Sequence, residues 1–257
     1  MKLTQISIAA LLSIVAVSAF AQAKAPEPDY TLSYNVAAYS DYRFRGISQT
    51  SKKPTLQAGV DFAHKSGFYL GAFGSNVRWV KDFNGATKGS LEIDLYGGFK
   101  GEIAKDLGFD VGLITYQYPG NNSGKAGTPG AGAFKNANTN EIYGALTYSV
   151  VTAKYSRSLG SFLGNLDSSG SDYFDVSAAF DLGNGFTLTP HVGVQKVKNN
   201  KPLNYTDYSL TIAKDMGNGF ALSAAAIGTN AKKAPYTDLN GRFIGNGTLV
   251  VGAKYSF

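Results

Sequence analysis

The chain has 257 residues, 31 of them glycine and 13% aromatic, with no cysteine and a formal net charge of +6. Without cysteine there is neither a disulfide framework nor a thiolate metal site, so an exported domain of this size must be held by its packing or by a bilayer. The charge excess is too modest to call for nucleic acid or another polyanion, and abundant glycine and tyrosine with few helix formers favour β structure.

The first element is a leader. Lys2 precedes the mostly apolar run "ISIAALLSIVAVSAF", and small residues then line up as Ala19-Phe20-Ala21 and Ala21-Gln22-Ala23. A basic start, a short apolar core and an A-x-A site read as a secretory signal peptide over residues 1–23, cleaved after Ala21 or Ala23. The run is short for a bilayer anchor, and no stretch after residue 25 approaches the 18 consecutive apolar residues of a spanning helix. Residues 24–257 are then expected to form a single exported domain.

That domain opens with an alternating block, "SDYRFRGISQT" at 40–50, in which Asp41, Arg43 and Arg45 interleave with Tyr42 and Phe44. Period two means opposite faces of a strand. An arginine facing lipid at mid-bilayer costs roughly 2–4 kcal/mol, so the charges are expected to face a lumen. Tyr42 and Phe44 would then join an outer aromatic girdle, and Gly46 would begin the first external loop. Further on, Leu91, Ile93, Leu95, Gly97 and Phe99 alternate with Glu92, Asp94, Tyr96, Gly98 and Lys100. Phe174, Val176, Ala178 and Phe180 alternate with Asp175, Ser177, Ala179 and Asp181; Thr206, Tyr208, Leu210 and Ile212 alternate with Asp207, Ser209, Thr211 and Ala213.

Turn chemistry separates these runs. "DLGNGF" at 181–186 and "DMGNGF" at 215–220 each centre on Asn-Gly, which suits the two positive φ values of a type I′ turn. Short turns at 64–68, 105–109 and 149–151 alternate with polar stretches at 45–54, 80–89, 119–138, 159–170, 197–203 and 229–245. Strands are therefore expected at 30–44, 54–64, 67–79, 90–100, 107–118, 139–149, 151–158, 172–181, 185–196, 204–214, 219–228 and 247–257. The run 67–79 shows no clean phase. Twelve strands with alternating short turns and long loops read as an all-β, antiparallel up-and-down transmembrane barrel of the bacterial outer membrane, with both chain ends periplasmic. A soluble sandwich would need neither the long loops nor strands of this length. The last strand alternates Leu249, Val251, Ala253, Tyr255 and Phe257 with Val250, Gly252, Lys254 and Ser256. It resembles the aromatic-ended signal that barrels present to their insertion machinery.

The block "YNVAAYSDYRFRGISQTSKKPTLQAGVDFAHKSGFYLGAFGSNV" (34–77), with "EIDLYGGFKGEI" (92–103) and "EIYGALTYSVVTAKYS" (141–156), resembles the TorF-type porin family of exported proteobacterial proteins. The resemblance runs over nearly all of residues 24–257. It implies an outer-membrane β-barrel and brings neither a solute nor functional residues.

No catalytic constellation is legible. His64 sits beside a short turn, and His191 lies in "TLTPHVGVQK" with Thr187, Thr189 and Gln195 on the same parity; no serine or asparagine is placed near either by sequence. There is no His-x-x-x-His, no calcium-type loop and no Walker spacing. The chain is therefore expected to be a cofactor-free non-enzyme. Its expected lumen set is Asp41, Arg43, Arg45, Gln57, Asp61, Glu92, Asp94, Lys100, Asp110, Thr152, Lys154, Asp175, Thr187, His191, Gln195 and Asp207. A channel for small hydrophilic solutes needs no more than such a wall, and the arginine pair near its mouth implies a mild anion preference. Twelve tilted strands enclose a backbone diameter of about 24 Å, narrow enough to be plugged by side chains or by an infolded loop such as 119–138. A closed structural barrel, or an adhesin acting through its loops, is the alternative. Expected partners are the outer-membrane bilayer, the insertion machinery at Phe257, small solutes and a second copy of the chain.

Overall fold

The computed structural model describes residues 28–257, so the expected signal peptide lies outside the described residues. In chain order the elements are β1 (Tyr30–Tyr39), a miniature hairpin of β2 (Arg43–Phe44) and β3 (Ile47–Ser48), β4 (Thr55–His64), β5 (Phe68–Asn76) and a one-turn helix α1 (Trp79–Asp82). Then follow β6 (Leu91–Ala104), β7 (Leu107–Gln117), β8 (Thr139–Tyr148), β9 (Val151–Ser158), β10 (Asp172–Ala178) and β11 (Phe180–Gly183). The last four are β12 (Phe186–Lys196), β13 (Tyr205–Gly217), β14 (Phe220–Thr229) and β15 (Thr248–Ser256).

Successive long strands pair antiparallel, and β1 meets β15 from Asn35↔Ser256 to Tyr39↔Gly252, which closes the sheet on itself. β10 and β11 are one stave interrupted at Ala179, since both pair with β12. The barrel therefore has twelve staves, at the positions the periodicity marks. The two Asn-Gly turns behave as their chemistry requires: Asn184 and Gly185 have φ of 50° and 77°, and Asn218 and Gly219 have 51° and 79°.

The faces follow the pleat. Leu95, Leu113, Leu146, Phe174, Val192, Leu210 and Val251 stand exposed on the outside, as an apolar solvent allows. The undecided stave resolves cleanly: Phe68 and Leu70 are exposed outward, whereas Tyr69 and Ser75 are buried inward. Outward aromatics gather at the short-turn end, where Tyr30 stacks on Phe62 at 5.7 Å, Tyr34 on Phe257 at 5.7 Å, and Phe99 meets Phe109 at 6.0 Å. These rings form the girdle that an interface favours.

The opening block departs from expectation. The first stave ends at Tyr39, not Phe44, and residues 40–54 fold into the barrel instead of rising from its rim. The reversal comes from Arg45 and Gly46, whose φ values of 47° and 78° tighten the chain between the pairs Phe44↔Ile47 and Arg43↔Ser48. Gly46 is thus the tip of an inward hairpin, not the start of an external loop. A Cβ there would lie 2.6 Å from Thr229 Cγ2 and 2.7 Å from Asp207 Cβ, so the tip lies against the wall at β13 and β14. Tyr42 and Phe44 consequently point into the barrel and take no part in the outer girdle.

Leu210 is outward and at the middle of β13. Leu210→Arg is expected to lower unfolding free energy in lipid vesicles by about 2–4 kcal/mol. Leu239→Arg, on an exposed loop residue, is expected to change it little; urea titrations of the two variants check the difference.

Candidate functional site

Every stave contributes alternate side chains to the lumen, but they are not equally accessible. Towards the long-loop end, Glu92, Glu141, Gln195 and Asp207 are at most 2% exposed. Towards the short-turn end, the inward residues Ser33 and Glu102 are exposed, and Asp61, Lys100 and Asp110 are half-buried. The lumen is a cup, open towards the short turns and filled towards the long loops. The hairpin fills it.

Asp41 and Arg43 tie the hairpin together. Asp41 accepts from Ser48 Oγ at 2.6 Å, Thr50 Oγ1 at 2.9 Å and Arg43 Nε at 2.6 Å. Arg43 also donates to the carbonyls of Gly46, Ile244 and Asn246 at 3.0–3.1 Å, which binds the hairpin to the β14–β15 loop. Tyr42 donates to Glu92 on β6 at 2.6 Å, and Phe44 meets Tyr116 of β7 edge-on at 5.3 Å.

Arg45 makes the farthest connection. Its guanidinium donates to both oxygens of Glu141 on β8, at 3.1 and 2.6 Å, and to Gln195 Oε1 on β12 at 2.9 Å. Tyr173 of β10 lies 4.2 Å below its face, with Phe44 at 4.7 Å and Phe162 at 5.6 Å. A planar fork matched to a carboxylate and stacked on rings is an arrangement that lysine could not reproduce. Burial works against the charge of Arg45, but Glu141 together with Tyr116 and Tyr173 outweighs it, and the guanidinium is held above its ordinary pKa. Burial, then Glu92 and Asp94, push the Tyr42 phenol well above its usual range.

Above the hairpin, the external loops make a roof. Gln49 O accepts from the backbone N–H of Arg78 at 2.8 Å and Trp79 at 3.0 Å, and Trp79 packs edge-on against Tyr118 at 5.0 Å. A crevice of about 50 Å³ remains between hairpin and roof, bordered by Phe44, Trp79, Phe162 and Tyr236. The expected plugging segment, 119–138, belongs to this roof: its Phe134 meets Phe83 at 6.0 Å and bridges to Asn165. The plug itself is residues 40–50. A depression of about 830 Å³ lies around Leu56 and Val251 on the outer apolar face.

Below the hairpin the wall alternates carboxylates, phenols and amines. Tyr69 donates to Asp110 at 2.5 Å and shares a short contact with Tyr143; Tyr96 donates to Asp61 at 2.5 Å. The Lys154 ammonium lies 4.0 Å over the Tyr143 ring and that of Lys100 5.4 Å over Tyr69. His191 sits between Asp175 at 3.5 Å and Asp207 at 3.6 Å, with the Tyr173 hydroxyl at 3.2 Å. Ser177 and Ser209 flank it in register. Neither hydroxyl hydrogen-bonds the ring among the described residues, so a serine–histidine pairing is not formed.

The structure places all sixteen expected lumen residues at inward positions, Gln57, Thr152, Thr187 and Gln195 on the wall among them. Asp61, Glu92, Asp94, Lys100, Asp110, Lys154, Asp175, His191 and Asp207 also stand on the wall, and Asp41, Arg43 and Arg45 on the hairpin. Sequence reading missed Glu141, although its parity opposite Ile142 and Leu146 marks it as inward. It also missed Tyr173 and Trp79 as partners of the hairpin, for which local pattern carries no signal. The mouth is not lined by free arginines: Arg43 and Arg45 are both spent in ion pairs. Asp94, by contrast, is buried, and its Oδ1 has no hydrogen-bond partner among the described residues.

The chain belongs to the family described as "Bacterial protein of unknown function (Gcw_chp)", whose model matches residues 22–257. A comparison with curated protein sequences finds no match. Among solved structures the chain is similar to the KdgM porin in complex with disordered oligogalacturonate, with a TM-score of 0.53 at 7% identity over 88% of this chain and 98% of that one. It is also similar to the NanC porin, with a TM-score of 0.53 at 8% identity over 88% and 99% of the two chains. At such identity the likeness establishes the fold, a closed antiparallel barrel, and no more.

Arg45→Ala leaves Glu141 buried without its counter-charge, a change that typically costs 3–5 kcal/mol. Trp79 is the sole tryptophan in the sequence and touches the hairpin's backbone. The variant is expected to unfold at lower temperature and to shift Trp79 emission to longer wavelength; fluorescence-monitored melting reads both effects.

Proposed function

We propose that the chain is an outer-membrane channel of the TorF-type porin kind, exported by a cleaved leader and inserted through its aromatic-ended last strand at Phe257. It passes small hydrophilic solutes passively and without a cofactor. The observation that carries this reading is the polar inner wall of a closed barrel whose outer face is uniformly apolar. The porin fold and the charged residues below the hairpin, Asp61, Asp110, Lys154 and Asp175 among them, support it. Hairpin 40–50 forms the constriction.

The anion preference expected from the arginine pair loses its footing, because both guanidiniums are neutralised by carboxylates. Glu92 and Asp94 stand on the wall with no ion pair among the described residues.

A second reading, a closed structural barrel or a surface adhesin, is favoured by the same hairpin, since it fills the outer lumen with ion-paired side chains. Planar-bilayer recording separates the two. The channel reading expects small but measurable conductance in the full chain and a several-fold increase on replacing residues 42–50 by a short glycine–serine link. A folded barrel that stays silent with and without the hairpin overturns it and leaves the closed-barrel reading.

A further inference from the structure

The slot that holds Arg45 belongs almost wholly to the rest of the barrel. Glu141 and Gln195 come from β8 and β12 on the far wall, Tyr173 from β10 next to β12, and Phe162 from the β9–β10 loop. All four are buried, at 1%, 0%, 5% and 5% exposure. Gln195 is held from behind, because its amide donates to Asp172 O at 3.0 Å, which aims its carbonyl oxygen into the slot. Both acceptors therefore meet one guanidinium fork, whose central carbon lies over the Tyr173 ring. This is the pattern that recognises a planar organic cation.

The ligand now in the slot reaches it on the tip of a two-strand hairpin of four paired residues. The rest of that hairpin is held by Asp41 and Arg43, whose contacts run to the hairpin itself and to the β14–β15 loop, not to the slot. Withdrawal of Arg45 would leave the acceptors, the ring and the negative charge in place.

We propose that Glu141, Gln195, Tyr173 and Phe162 form a binding site for guanidinium-bearing organic cations, and that Arg45 occupies it as a built-in ligand which such a solute displaces. The purpose of the site rests on the channel reading, with displacement freeing the outer lumen; the binding itself does not depend on conduction. A tethered ligand acts at an effective concentration on the order of millimolar, so a free competitor works in that range.

The test uses the full mature chain in detergent micelles, with methylguanidinium chloride as probe and sodium chloride at equal ionic strength as control. Arg45→Ala is expected to gain a saturable rise in its melting midpoint from millimolar methylguanidinium, with Trp79 emission returning towards the wild-type wavelength. The double variant Arg45→Ala, Glu141→Gln is expected to lose at least tenfold in apparent affinity. No saturable rise in Arg45→Ala, or the same affinity in both variants, overturns the proposal. If Arg45→Ala does not refold alone, the reading is its refolding yield: rescue by methylguanidinium but not by salt supports the site, and no rescue overturns it. A barrel that binds the probe yet never conducts would sink the channel reading alone; a conducting barrel without binding would sink only this inference.

Discussion

A chain that crosses lipid with strands must satisfy every backbone donor and acceptor within itself, because the hydrocarbon offers none. Everything else in this structure depends on the pairing of β1 with β15 that meets this constraint. Closure compels each stave to divide its side chains between two solvents, apolar outside and polar inside. It also fixes the enclosed width, and twelve staves leave a lumen that one inserted hairpin can fill. The fold and the question of its openness therefore have the same origin.

The interior is organised by the pairing of charges that the wall and the hairpin each carry in excess of their own partners. Glu141 on the wall and Arg45 on the hairpin would each be costly if buried alone. Together they fasten the hairpin tip across the barrel at a point far from its root. Asp41 and Arg43 do different work, making the hairpin a rigid unit and joining it to the loop beside it. The result is asymmetric: a plug with one strong contact at its tip, over a cup of phenols, carboxylates and amines that stays accessible from the short-turn side.

Much of this was legible in the chain. Leu91 to Lys100 reads as a two-faced strand because its period matches the pleat, and the two Asn-Gly pairs read as hairpins because few other residues tolerate two positive φ values. Those are local properties, decided within a few residues. The inward direction of Asp61, Glu92, Asp110 and Asp207 is local too, since the cost of charge in lipid leaves one side only.

The alternation of "SDYRFRG" marks the limit. By itself the sequence determined that Asp41, Arg43 and Arg45 would be sheltered from lipid and would lie opposite Tyr42 and Phe44. It could not say whether the chain continues up the wall or turns into the barrel, since both satisfy the same alternation. Only the tertiary structure decided that, because the partners that hold the hairpin, Glu92, Tyr116, Glu141 and Gln195, lie 50 to 150 residues away and come together only when the barrel closes.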